Sequence, residues 1–175
     1  MGYAKSNSPE RFAPDAYPVH AALPDLCTTI PPALLPDPAL HPQTFDQNLD
    51  RNNSTCVFAP GDDEPVLGRI QVAVSRPGAD TGDSAADRLI EVRRGYDEEK
   101  SGTRTPFAPV GGFGEEAKLA VATLEDFAYA DLAVRDGVLL INIYVAMPGN
   151  DPLAPGDVAK GIAAELLRTL PQDGR

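Results

Sequence analysis

This chain of 175 residues has no tryptophan, two histidines, two cysteines and no apolar run close to the ~18 residues that a membrane helix needs. Each scarcity removes a class of function. A zinc site built from side chains would have to recruit His20 or His41, and neither stands at zinc spacing from a cysteine. A Ser–His–Asp group would have to use His41 with Ser54, yet no Gly-x-Ser-x-Gly elbow is present. His41 lies in Leu40-His41-Pro42 and reads as a surface histidine. No residue set is assigned a catalytic, metal-binding or cofactor-binding role.

Positive charge is also short. Fifteen Lys and Arg face 26 Asp and Glu, for a net charge of −11. Such a surface repels nucleic acid and anionic lipid, so neither is an expected partner. Asp62-Asp63-Glu64 and Asp97-Glu98-Glu99 are acidic clusters without the spacing of a calcium loop, and they read as solvated surface.

The first residues, Met1-Gly2-Tyr3-Ala4-Lys5-Ser6-Asn7-Ser8, lack the apolar core of a secretory signal. A protein working outside the cytoplasm would have lost its export signal or anchor. A Met-Gly start fits a cytoplasmic protein equally well, so the compartment is read from the cysteines. Cys27 and Cys56 bracket the change from proline-rich lead-in to regular sequence. A bond between them would tie the lead-in to the first strand and point to an oxidising compartment. Two buried thiols are the alternative, and a metal site is a distant third.

What is present is proline, 18 residues in all, nine of them at or before Pro42. Residues 1–22 show no period and read as a tail or linker. Residues 23–171 read as a single domain. Leu23 to Ile30 makes one or two helical turns with Asp25 near the cap. Pro31 or Pro32 opens a second short turn through Leu35. Residues 43–53 read as an exposed polar connection. It includes two overlapping glycosylation patterns in Asn52-Asn53-Ser54-Thr55, taken as a polar loop.

From Cys56 the pattern turns regular. Thr55-Cys56-Val57-Phe58-Ala59 is a short strand. Arg69 to Ser75 alternates, with Ile70, Val72 and Val74 on one face, and pairs back on it as a hairpin. Thr81-Gly82-Asp83-Ser84 starts a helix to about Lys100, with Ala85, Leu89, Val92 and Tyr96 on one face and Gly102 as its stop. Leu119 to Ala122 fits a strand or a turn. Phe127 to Arg135 and Val138 to Val145 flank Asp136-Gly137, the strongest hairpin signal in the chain. Pro155-Gly156-Asp157 opens a last helix over about 156–170. Val158, Ile162, Leu166 and Leu170 are spaced by four, with Leu153, Ala159, Ala163 and Leu167 beside them. The fold class is α+β: a single antiparallel sheet carrying a long helix (about 83–100) and the C-terminal helix, with the short N-terminal turns tied on.

Four segments carry a family resemblance: Pro24-Asp25-Leu26-Cys27 before a short helix, Cys56-Val57-Phe58 opening the sheet, the turn Val110-Gly111-Gly112-Phe113-Gly114-Glu115-Glu116-Ala117, and Leu132-Ala133-Val134-Arg135-Asp136-Gly137 before an apolar strand. In this order they resemble actinobacterial extracytoplasmic lipoprotein-type domains of unknown function, related to the outer sensor domains of receptor kinases. The resemblance spans residues 24–170. It departs at Pro31, Pro36 and Pro38, which crowd the first helix. It implies a Cys27–Cys56 disulfide, export and membrane tethering, and it supplies no active site.

The Gly111-Gly112-Phe113-Gly114 run lacks the Lys-Ser/Thr of a phosphate loop, and Glu115 and Glu116 would repel phosphate. It reads as a tight turn with Phe113 plugging the core. The expected function is a non-enzymatic extracytoplasmic domain that binds a protein or small ligand at the cell surface, with the membrane reached only through a missing anchor. Loops 60–68, 102–114 and 147–154 on one sheet face form the expected contact surface. Phe107 and Phe113 are its anchors if they face solvent. An assembly subunit of an envelope complex is the alternative, and a hydrolase of unrecognised type ranks below both.

Overall fold

The computed structural model describes residues 22–43, 48–61, 68–77, 85–101 and 106–171. The expected tail (1–22), save its last residue, lies outside the described residues. So do the helix start Thr81–Ser84, the stop Gly102, the cluster Asp62–Glu64 and parts of loops 60–68 and 102–114.

Eight described strands form a single antiparallel sheet. They are β1 (His41–Pro42), β2 (Asn48–Leu49), β3 (Asn53–Ala59), β4 (Arg69–Ser75), β5 (Ala108–Pro109), β6 (Glu116–Leu124), β7 (Phe127–Asp136) and β8 (Leu139–Pro148). β1 and β2 follow one another along the outer edge of β3, opposite Phe58–Ala59 and Ser54–Thr55 respectively. From there the order runs β3, β4, β8, β7, β6, β5. Among the described residues three α-helices accompany the sheet, α1 (Leu26–Thr29), α2 (Ala85–Ser101) and α3 (Leu153–Thr169), with a 3-10 turn at Pro32–Leu34. The α+β class holds, with the long and C-terminal helices in place.

Side chains alternate across a strand, so each face can be read off the register. On one face, Ile70, Val72 and Val74 of β4, Leu132 and Val134 of β7 and Ile141, Ile143 and Val145 of β8 are all buried. They share one core with Ile162 and Leu166 of α3 and with Leu23, Leu26 and Ile30 of the lead-in. α3 approaches closely because Ala159, Ala163 and Gly156 present little bulk. A Cβ on Gly156 would already touch Leu119 and Val121, at 3.4 and 3.5 Å. α2 lies on the opposite face, where Val92 and Tyr96 pack with Ala133 and Leu140 in a small separate cluster. The side chains of Ala85 and Leu89 lie outside the described residues. Arg93 ties α2 to β6 through Glu116 at 2.5 Å.

Cys27 and Cys56 are joined, with Cα atoms 5.3 Å apart. Asp25 caps α1 by accepting from the Cys27 amide at 2.9 Å. Ser54 strengthens the same junction. Its hydroxyl donates to the Pro24 carbonyl at 2.8 Å and accepts from the Leu26 amide at 3.3 Å. The Leu23 amide also bonds the Arg51 carbonyl at 3.2 Å. The lead-in is thus a bound flap over the main core. Its disulfide belongs to an oxidising, extracytoplasmic environment. No helix among the described residues is long and apolar enough to cross a membrane.

Several boundaries differ from the sequence reading. Residues 43–53 are not an exposed connection throughout: Asn52 is buried, and β3 already begins at Asn53. The overlapping glycosylation patterns therefore sit in the start of a strand, with Ser54 committed to the lead-in. The segment left open between strand and turn is the nine-residue β6. It makes a hairpin with β7 around Glu125, whose φ is 54°. In the β7–β8 hairpin Asp136 is still a strand residue opposite Leu139, and Gly137 begins the turn. α3 starts at Leu153, earlier than 156, since Pro155 is tolerated in a first turn where no amide partner is needed. Leu153 is 67% exposed instead of joining the buried stripe.

Closing a loop of 29 residues in separation stabilises the fold by roughly 3–4 kcal/mol on the chain-entropy estimate. Urea unfolding with and without reductant should show a loss of that size, with the Cys27→Ala/Cys56→Ala double variant matching the reduced protein.

Candidate functional site

The face that carries α2 is only partly covered by it. Beyond Ala133 and Leu140, three rows of side chains cross β4, β8 and β7. The first is Ala73, Asn142 and Ala133; the second is Gln71, Tyr144 and Asp131; the third is Arg69, Ala146 and Tyr129. Alanine on both sides of Asn142 leaves a gap in the first row. A pocket of about 120 Å³ opens there, and Gln71, Ala73, Phe107, Asp131, Ala133, Asn142 and Tyr144 line it. A cavity of this order accommodates one small ring, and it is smaller than a pocket for a drug-sized ligand.

The floor of the pocket is polar. Asn142 Oδ1 is buried and has no hydrogen-bond partner among the described residues. A buried acceptor left unpaired costs about 1–3 kcal/mol, a cost that is recovered if the amide turns towards a donor in the pocket. Tyr144 stands beside it. Burial pushes its phenol pKa up, Tyr129 and Asp131 act in the same sense, and Arg69 opposes them. The phenol is therefore neutral and able to donate across the physiological range.

An aromatic strip leads away from the pocket. The ring centroids of Tyr144 and Tyr129 are 6.3 Å apart with 36° between planes, and Tyr129 and Phe127 repeat that spacing at 34°. All three rings are half-buried.

The two expected anchors part company. Phe107 is half-buried in the pocket wall. Phe113 is half-buried on the other face, packed against the main core. It sits between Gly112 and Gly114, whose φ values are +89° and +55°. A Cβ on Gly114 would lie 2.7 Å from the Arg135 carbonyl oxygen, so the turn needs glycine there. The following acids serve the framework: Arg135 pairs with Glu115, and Arg93 with Glu116.

His41 is exposed, its Nδ1 3.0 Å from the Ala39 carbonyl oxygen, at the opposite end of β3 from Ser54. Histidine and serine are not brought together. No group of three metal-binding side chains occurs among the described residues. Of Asp97-Glu98-Glu99, Asp97 pairs with Arg93 and Glu98 lies near Arg94 on the exposed side of α2.

Sequence reasoning placed Phe107 in the contact surface and missed Asn142, Gln71, Asp131 and Tyr144. One signal was available: Asn142 interrupts the otherwise apolar run Val138 to Ile143. Comparison with family models, with curated proteins and with solved structures finds no match.

The raised Tyr144 pKa has a defined consequence for stability. Its contribution is whole below 10.0, the ordinary tyrosine value, and is lost as the pH climbs from there through the raised folded value. Chemical unfolding between about pH 9 and about pH 12 should show stability falling, with a shallower fall in Tyr144→Phe. Ultraviolet difference titration of wild type against Tyr144→Phe should assign the lost phenol an ionisation above the ordinary tyrosine value of 10.0.

Proposed function

We propose that this chain is a non-enzymatic binding domain of the cell exterior, tethered at the membrane as in the actinobacterial lipoprotein-type domains it resembles. Its site is the open sheet face around Asn142, and its ligand is a small molecule or the end of a longer one. The observation that carries this reading is the pocket lined by Asn142, whose buried Oδ1 lacks a partner, with neutral Tyr144 beside it. The flanking Ala73 and Ala133 support the same reading, because two larger residues would close the gap. The disulfide supports the compartment.

The test is a fragment screen by amide-resolved NMR, followed by Asn142→Leu. Fragments bearing an N–H or O–H donor should shift the amides of residues 71–73, 131–133 and 142–144. Asn142→Leu should keep the fold, match or exceed wild-type thermal stability, and lose those shifts. A variant that binds the same fragments unchanged, or a screen in which no fragment reaches these amides, would remove the site.

A further inference from the structure

We infer that the ligand of this site is a neutral oligosaccharide, its terminal ring seated in the pocket and its following units laid along Tyr144, Tyr129 and Phe127. This deepens the binding function proposed above and rests on it. The strip and the pocket are continuous, because Tyr144 belongs to both. At about 120 Å³ the pocket takes one edge of a pyranose with its hydroxyls, and the rest of the ring stands at its mouth. Three half-buried rings at a regular 6.3 Å spacing offer successive platforms to a chain of linked rings. The C–H faces of a pyranose lie well on the electron-rich face of an aromatic ring.

Hydrogen-bond polarity and charge narrow the class. Asn142 Oδ1 is an acceptor in need of a donor. Gln71 and the Tyr144 hydroxyl each offer both roles. A sugar brings several hydroxyls, each able to donate. A proline-rich segment also suits an aromatic groove, but its imide nitrogens have no hydrogen to give to Asn142. Single-stranded nucleic acid stacks on such strips too, but its phosphates meet a chain of net charge −11. A neutral polyol satisfies all three conditions.

The experiment is an amide-resolved NMR titration of the intact chain with four neutral hexasaccharides: β-1,4-linked glucose, β-1,4-linked N-acetylglucosamine, α-linked mannose and α-linked glucose. Decaproline is the comparator. At least one hexasaccharide should shift amides of residues 127–131 and 142–146. Its affinity should change by less than about twofold when salt is raised about tenfold, because no charge is paired. Tyr129→Ala should weaken it by at least about tenfold, and Tyr129→Phe should restore it to within about threefold, since the ring and not the hydroxyl supplies the platform. Unchanged thermal melting of Tyr129→Ala guards against a fold effect. If no hexasaccharide binds while donor-bearing fragments still reach Asn142, the saccharide inference falls and the binding function stands. If neither sugars nor fragments bind, both fall. Decaproline shifting the same strip, with the sugars silent, would replace the saccharide by a peptide.

Discussion

Period-two alternation on β4, β7 and β8 is the constraint from which the other features of this molecule follow. It sends Ile70, Val72, Val74, Ile141, Ile143 and Val145 to one face, with no polar residue among them. That face must be covered, and α3 with the lead-in covers it. The opposite face receives Ala73, Asn142, Ala133, Gln71, Tyr144 and Asp131 from the same strands. It is too polar to be sealed like the first. α2 takes the end where Leu140 and Ala133 are apolar and leaves the adjoining rows open. The division of labour between a structural face and a candidate binding face is a direct result of which residues are odd and which are even.

Electrostatics and packing agree about what the open face is suited to. Ion pairs such as Arg93–Glu116, Arg135–Glu115 and Arg168–Glu165 lie on helix surfaces or in the Gly-Glu-Glu turn. They bind the framework together, while the pocket is lined by the amides of Asn142 and Gln71, the Tyr144 phenol, the Phe107 ring and the Asp131 carboxylate. The carboxyl of Glu165 is held below its usual value by the Arg168 guanidinium, and that of Asp50 by the Asn52 amide and the Asn53 side chain. Both effects are complete at neutral pH and fade only as the solution becomes strongly acidic.

Much of the fold was legible because its signals are local. The alternation of Ile70, Val72 and Val74, the Asp136-Gly137 hairpin and the four-residue spacing of Ile162, Leu166 and Leu170 all describe elements the structure contains. β6 was ambiguous because Leu119-Ala120-Val121-Ala122 is apolar at every position and short of β-branched residues, so no period separates strand from turn. The start of β3 was hidden because Asn52, Asn53 and Ser54 are polar, and Ser54 is buried through its bonds to Pro24 and Leu26, about thirty residues away. The site was the least legible part. Gln71, Asp131 and Asn142 are dispersed in sequence and become neighbours only through the β4–β8–β7 register. Phe107 and Phe113, close in sequence, end on opposite faces because a glycine turn and the β5–β6 pairing come between them.

The junction of Cys27 with Cys56 also decides how this domain bears load. Chain entering at Leu23 meets a covalent bond four residues later, and that bond ends in the middle of β3. Tension applied from the amino-terminal side is therefore passed into β3 itself and does not peel α1 from the core. β3 is bonded along most of its length to β4, and β4 to β8. Force is spread over a ladder of backbone hydrogen bonds that resist shear together. The outer edge, β1 and β2, hangs from the same strand and stays unloaded. A pull that would strip a short proline-bounded helix from an unlinked chain is here carried by the sheet, while the rows around Asn142 keep their spacing.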